Sequence, residues 1–294
     1  MTATTNKPRV LLGLIGAGIQ QTLSPTLHEA EGDAQGLRIQ YRIYDLDVLQ
    51  LGDRALPSLL DAARLLGYAG LNITFPCKQT VLPLLDALSD DARAMNAVNT
   101  VVFRDGRATG HNTDASGFAH GFRRGLPHAS TACIALIGAG GAGSAVAHAM
   151  LGLGARELRI VDSDPARADE LARGAHERFP DRTIVPVATA REALAGASGM
   201  INATPIGMTK LPGTPIDAGL LDPKQWVADC VYRPIDTALL RAARARGCAT
   251  LDGGGMNVGQ AVDAFRLFTG LEPDPARVAR HFAALIAAER AAGS

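Results

Sequence analysis

The amino-acid sequence predicts an α/β fold in two domains. An N-terminal domain on a mixed or parallel sheet precedes a doubly wound domain, and C-terminal helices return to the first. Three observations carry this. Strand-like and helix-like runs alternate through most of the 294 residues, the pattern of βαβ units. A glycine-rich turn, Gly138-Ala139-Gly140-Gly141-Ala142-Gly143, follows one apolar run and opens an alanine-rich one. More than 130 residues precede that turn, room for a complete domain of a different kind.

Each element follows from local pattern. Short apolar runs bounded by Gly, Pro or charge predict strands at 10–15, 39–45, 70–74, 98–103, 133–137, 158–162, 200–203, 227–231 and 249–251. Helical spacing predicts helices at 56–66, 81–88, 165–178 and 237–246. The helical runs 260–269 and 275–292 follow one another with no strand between, and Asp274-Pro275 is an N-cap and first-turn pair. Such a tail packs back on an earlier domain. The expected boundaries are 1–115, 116–254 and 255–294.

Composition bounds the function. Hydrophobic residues make up 47%, enough for two cores. Lys+Arg and Asp+Glu both number 29, so no basic excess points to nucleic acid. No apolar run is long enough to span a bilayer, and residues 1–9 lack the apolar core of a secretion signal. Cys77, Cys133, Cys230 and Cys248 form no C-x-x-C, so neither a metal site nor a redox pair is expected. The cytoplasm is the expected compartment.

The turn 138–143 has the spacing G-x-G-x-x-G between a strand and a helix. There the glycines allow a tight turn and close approach of backbone to a pyrophosphate, which the helix N-terminus attracts. The motif alone also occurs in turns that bind nothing. The next strand sharpens it, because Asp162 stands 24 positions after Gly138. A carboxylate there accepts hydrogen bonds from ribose hydroxyls and repels the extra phosphate of NADP, which predicts NAD. Arg167 is five residues on. Asp164, directly before Pro165, is the better helix cap, which leaves Asp162 for the ribose. An earlier set, Gly13, Gly16 and Gly18, has Gln21 where the third glycine belongs and no acidic strand end at the matching distance. It reads as a strand-end loop.

Three polar islands lie in the first domain. Asn72-Ile73-Thr74-Phe75-Pro76-Cys77-Lys78 sits where a strand ends and a helix begins. Asn99-Thr100 and Gly110-His111-Asn112-Thr113-Asp114 fall at later strand ends, where parallel sheets bind ligands. Lys78 with Asp114 makes a candidate proton-transfer pair: Lys78 exchanges the proton and Asp114 orients it. The alternative is a solvated lysine, although the helix dipole disfavours a cation at a helix start. In the third island, Thr22 and Ser24 stand at alternate positions, suited to holding a carboxylate. Equally, Ser24 before Pro25 caps a helix. His28 lies within that helix and reads as structural.

With these islands in place, the chain resembles the shikimate/quinate dehydrogenase family over nearly its whole length. The resemblance rests on ordered motifs: Thr22-Leu23-Ser24-Pro25-Thr26-Leu27-His28, Gly70 to Lys78, Ala97-Val98-Asn99-Thr100, Gly110 to Asp114, Asn202-Ala203-Thr204-Pro205-Ile206-Gly207-Met208, Asp229-Cys230-Val231-Tyr232-Arg233-Pro234, and Gly255-Met256 with Gln260. It implies a substrate domain plus a Rossmann-type cofactor domain, with Lys78 as general acid/base and Asp114 as its partner. Thr22 and Ser24 would bind the substrate carboxylate. Asn72, Thr74, Asn99, Asp114 and Gln260 would bind ring hydroxyls, and Tyr232 would line the pocket. Gly138, Gly140, Gly141, Ala142, Gly143, Asp162, Arg167, Thr204, Pro205, Met208, Val231, Gly253 and Met256 would contact the cofactor.

Three departures matter. Thr22 stands where the family usually has Ser, and Asn96 where it often has Gly. Asp162-Ser163-Asp164 replaces the Asn-Arg-Thr-like element of NADP enzymes. The chain thus looks most like the NAD-dependent quinate/shikimate dehydrogenases of quinate catabolism. The expected substrate is a cyclic polyhydroxy carboxylic acid, oxidised to its 3-dehydro ketone by a monomer or homodimer. An NADP-dependent shikimate dehydrogenase of aromatic amino-acid biosynthesis, an enzyme for an aminoshikimate-like acid and a non-catalytic ligand-binding regulator stand as alternatives. The sequence does not rank quinate against shikimate.

Overall fold

β1 (Arg9–Gly16) enters the fold as an unbroken apolar run whose last five residues are buried, and a strand covered on both faces belongs in mid-sheet. The computed structural model describes residues 7–292. The described residues up to Thr113, with those from Ala261, form one unit, and Asp114–Gln260 forms another.

The first unit continues with α1 (Ser24–Ala34), β2 (Arg38–Asp45), α2 (Leu56–Leu65), β3 (Gly70–Ile73), α3 (Cys77–Thr80), β4 (Ala87–Leu88), α4 (Asp90–Met95), β5 (Thr100–Arg104) and β6 (Arg107–His111). Its sheet order is β2-β1-β3-β5-β6-β4. β1 runs parallel to β2 and β3, while β5 is antiparallel to β3 and β6. Asp105 and Gly106 join β5 to β6 with φ of 53° and 75°, the two left-handed residues of a type I′ hairpin turn. Asn96, which ends α4, has φ 48°, a conformation that glycine adopts freely and Asn tolerates.

The helix expected at 81–88 is absent. A single 3₁₀ turn, Leu82–Leu84, gives way to extended Leu85 and then to β4. The edge of β6 captures this backbone: Asp86 N–H donates to Ala108 O at 2.9 Å, and Asp86 Oδ2 accepts from Ala108 N–H at 2.6 Å. Sheet pairing outweighs the helical spacing.

The second unit comprises α5 (Asp114–Gly125), β7 (Cys133–Ile137), α6 (Gly141–Gly152), β8 (Glu157–Val161), α7 (Pro165–Arg178), β9 (Thr183–Pro186), α8 (Ala190–Leu194), β10 (Gly199–Asn202), β11 (Trp226–Asp229), α9 (Ala238–Ala245), β12 (Ala249–Leu251) and the start of α10 (Gly254–Thr269). All its strands are parallel, in the order β12-β11-β10-β7-β8-β9. The chain leaves β7 toward β9 on one side and resumes at β10 on the other. That reversal marks a ligand crevice outside the strand ends.

α10 begins six residues before the expected 260. Asp252 Oδ1 starts it by accepting from Gly254 N–H at 2.9 Å. Its early glycines exist for packing: a Cβ at Gly259 would come 2.6 Å from Gly117 Cα of α5. The unit boundary accordingly falls at Gln260/Ala261, inside α10.

α11 (Pro275–Ala292) and the rest of α10 belong to the first unit. Glu31 of α1, 3% exposed, accepts from Arg277 Nε at 2.7 Å and Nη2 at 2.6 Å, and from Asp274 N–H at 3.0 Å. Arg277→Ala leaves that buried carboxylate short of donors. We expect a lower midpoint in urea unfolding, and an unchanged midpoint would refute the anchoring role.

Candidate active site

Strand register assembles the substrate-side residues of the first unit. Asn72, near the end of β3, lies opposite Thr100, and Ile73 N–H donates to Asn99 O at 2.8 Å. Asn72 is buried, with its Nδ2 donating to Thr100 Oγ1 at 3.1 Å. Its Oδ1 accepts from Tyr41 O–H at 2.7 Å. Asn99, also buried, accepts on Oδ1 from Thr113 N–H at 2.9 Å and donates from Nδ2 to Thr113 Oγ1 at 2.9 Å. Thr74 packs against Gly16, where a Cβ would come 2.3 Å from Thr74 Cγ2. Lys78 lies half-buried in α3, and its carbonyl accepts from Val98 N–H at 2.8 Å, next to Asn99.

Thr22 and Ser24 meet. Thr22 Oγ1 donates to Ser24 Oγ at 3.1 Å and lies 3.3 Å from Ser24 N–H. The N-cap of α1 is Leu23, with no side-chain cap, so Ser24 is not the cap. Its hydroxyl is engaged by Thr22 instead. His28 is buried and stacks on Tyr41 at 5.1 Å between ring centres, a structural place.

Asp114 opens α5 in the second unit, buried, one peptide beyond Thr113. A Cβ at Gly117 would come 2.6 Å from Gln260 N, so the helix of Asp114 touches the backbone that carries Gln260. Gln260 is half-buried and donates from Nε2 to Asn257 O at 3.1 Å. Tyr232 is half-buried beyond β11. Lys78 and Asp114 thus fall in different units.

The glycine turn joins β7 to α6. Gly138 has φ +102°, and a Cβ there would come 2.8 Å from Thr204 Cγ2. A Cβ on Gly143 would come 2.1 Å from Gly138 O. At Gly140 a Cβ would meet nothing within 4 Å, so its backbone faces open space where a ligand can approach. Gly141 and Ala142 form the first turn of α6. The half-buried Asp162 accepts on Oδ2 from Ala139 N–H at 2.7 Å and on Oδ1 from Asp164 N–H at 2.9 Å, which fixes its carboxylate against this turn. Asp164 caps α7 by accepting from Ala166 N–H at 3.1 Å. Arg167 is exposed and lies 3.6 Å from Asp164. This arrangement fits an adenosine ribose and pyrophosphate.

Across the reversal stand the loops after β10 and β11. Thr204 donates from Oγ1 to Asn202 Oδ1 at 2.7 Å, while Pro205 and Met208 are exposed. Val231 is buried and donates its N–H to Asp229 at 3.0 Å. Gly253 packs so tightly that a Cβ would come 2.7 Å from Cys230 O. Met256 is half-buried against the core of this unit.

Sequence reasoning missed the residues that hold these loops. β2 ends in Asp45, as expected, and this acid serves the early glycine loop. Asp45 is buried and accepts from Gly18 N–H at 2.9 Å, Ile19 N–H at 2.8 Å, Gln20 Nε2 at 3.2 Å and Asp47 N–H at 3.1 Å. Burial raises its pKa, but these bonds outweigh it and hold the carboxyl below its ordinary range. With its lone pairs spent on the loop, it has none for a nucleotide. Tyr41, Asn202 and Asp229 were likewise not singled out. A polar residue closing a strand was the signal available. Among the described residues no group of three or more His, Cys, Asp or Glu could hold a metal, and no helix is long and apolar enough to cross a membrane.

Residues 14–101 match the family model described as the shikimate dehydrogenase substrate binding domain. A shikimate dehydrogenase (NADP(+)) of Streptomyces avermitilis is 55% identical, over 94% of this chain and 95% of its own. A quinate/shikimate dehydrogenase (NAD(+)) of Corynebacterium efficiens is 50% identical, over 95% of this chain and 100% of its own. Among solved structures, quinate dehydrogenase from Corynebacterium glutamicum in complex with NAD is 48% identical with a TM-score of 0.86, covering 94% of this chain and 99% of its own.

Proposed function

Because the chain belongs to the shikimate/quinate dehydrogenase family, we propose that it is an NAD-dependent oxidoreductase that converts quinate or shikimate reversibly to the 3-dehydro ketone. The observation that carries the cofactor choice is the Asp162 carboxylate seated on Ala139 N–H at 2.7 Å. A fixed anion there accepts ribose hydroxyls and repels a 2′-phosphate. Relatives named for either cofactor are about equally similar, so overall identity does not decide between them.

Thr22 and Ser24 bind the substrate carboxylate, Asn72, Thr74, Asn99 and Gln260 bind the ring hydroxyls, and Tyr232 is a further substrate-binding residue. Lys78 takes the proton of the reacting hydroxyl as general acid/base, and Asp114 has the role of its catalytic partner. Bound NAD supplies the hydride acceptor, held by the glycine turn, Asp162, Arg167 and the loops of Thr204 and Val231. Cys77, Cys133 and Cys248 are free thiols, in keeping with a cytoplasmic enzyme. Fractionation of the native host checks the compartment, and secretion would refute it. Light scattering on the purified protein separates monomer from homodimer; any larger assembly would refute both.

A steady-state assay crossing quinate and shikimate with NAD and NADP tests the whole reading. Absence of turnover in all four combinations would refute it. Asp162→Ser with Ser163→Arg should move the NAD/NADP ratio of kcat/KM toward NADP by about tenfold to a hundredfold, the worth of a charged hydrogen bond. An unchanged ratio would end the ribose role. A second reading, an NADP-linked shikimate dehydrogenase, is favoured by the name of the Streptomyces avermitilis relative. Higher kcat/KM with NADP in the wild type would establish it instead.

A further inference from the structure

We propose that Asn202 and Asp229 form a buried clamp that positions one wall of the dinucleotide crevice, an inference that rests on the cofactor reading above. The two residues pair in register at the ends of β10 and β11. Asn202 is fully buried and Asp229 nearly so. Asn202 Nδ2 donates to Asp229 Oδ1 at 2.9 Å and to Ile206 O at 3.0 Å. Its Oδ1 accepts from Thr204 N–H at 3.0 Å and Thr204 O–H at 2.7 Å. Asp229 also accepts from Val231 N–H at 3.0 Å and from Thr237 O–H at 2.7 Å. Both loops are therefore held from beneath by side chains rising from the strand ends.

Their place gives the clamp its meaning. β10 is the strand at which the sheet order reverses, and its loop faces the glycine turn, with Thr204 Cγ2 only 2.8 Å from where a Gly138 Cβ would stand. The groups that set the Asp229 carboxylate are Thr237, Val231 and Asn202, all uncharged. Burial raises its pKa, and the three hydrogen bonds work against that. A buried carboxylate held only by neutral donors is costly, and an apolar pair would pack here more cheaply. What an apolar pair lacks is the ability to fix the backbone of residues 204, 206 and 231. Asn202 and Asp229 are thus positioning residues.

Asn202→Asp tests this without changing volume. It sets two carboxylates in contact, so one stays protonated near neutral pH and repulsion grows as pH rises. The KM for NAD should rise about tenfold near neutrality and further at higher pH, with the KM for quinate or shikimate within about twofold. Asn202→Ser is the uncharged companion: it cannot reach Ile206 O and Asp229 together, so the NAD KM should also rise about tenfold, but without the added pH dependence. A wild-type NAD KM in Asn202→Asp at every pH overturns the clamp, as does an equal rise in both KM values. If Asn202→Asp does not fold, Asn202→Ser decides: a raised NAD KM with an unchanged KM for quinate or shikimate supports the clamp, and a wild-type NAD KM in the folded variant overturns it. Wild-type enzyme inactive on every substrate and cofactor pair would instead sink the proposed function.

Discussion

Lys78→Ala is expected to fold and bind NAD normally while kcat falls by about 10²–10⁴-fold, the contribution of a positioned acid/base. The fold should survive because a backbone bond ties Lys78 to the sheet: its carbonyl accepts from Val98 N–H at 2.8 Å. Alanine keeps that bond and suits α3. NAD affinity should survive because the glycine turn and Asp162 belong to the other unit. Lys78→Arg separates charge from proton transfer. A guanidinium stays charged at any working pH and takes no proton, so the variant should be as inactive as alanine despite keeping the charge. Near-normal turnover in Lys78→Ala would remove the amine from the mechanism. Activity in Lys78→Arg with none in Lys78→Ala would make the residue an electrostatic anchor instead.

The sheets were legible where a strand is buried on both faces and so reads as an apolar run. β7 falls at its expected bounds for that reason. β6 was missed because its residues Arg107-Ala108-Thr109-Gly110-His111 alternate too weakly to mark a strand. The Asp105-Gly106 pair, which favours the hairpin turn found there, was the better clue. β9 was missed as a short edge strand with little buried surface. The candidate site was legible through motifs, since Gly138, Gly143 and Asp162 each have a backbone reason to be what they are. What holds the site was not. Asp45 with the early glycine loop, Tyr41 with Asn72, and Asn202 with Asp229 are pairings between residues distant in the chain, and no local period encodes such a partner. For Ser24 the sequence left two readings open, and the cap is the one that fails, since α1 begins one residue earlier.

The first unit should lose stability steeply in mild acid, and His28 should be the cause. Its ring is 2% exposed, stacked on Tyr41 and Phe265 and tilted against Phe268, and neither ring nitrogen has a hydrogen-bond partner among the described residues. Burial lowers its pKa from 6.5 to about 4. The sign follows from proton uptake. Below 6.5 the unfolded chain gains a proton that the folded chain refuses. Stability is therefore fully present above 6.5 and drains away as pH falls toward about 4. At ~1.4 kcal/mol per pH unit the loss approaches about 3 kcal/mol. Glu31, one turn on, adds a second and later loss. Burial alone would raise its carboxyl, but bonds from Arg277, Gln35 and Asp274 and the Arg277 charge lower it below 4.5. Its contribution holds above 4.5 and fades only as pH falls through that lowered value. His28→Phe keeps an aromatic ring in the slot and removes the titration. Followed by circular dichroism in urea, the wild type should weaken by about 2–3 kcal/mol between pH ~6.5 and ~4.5, and His28→Phe by less than about 1 kcal/mol. Parallel decline in the two proteins would show that the acid sensitivity lies elsewhere than in this aromatic slot.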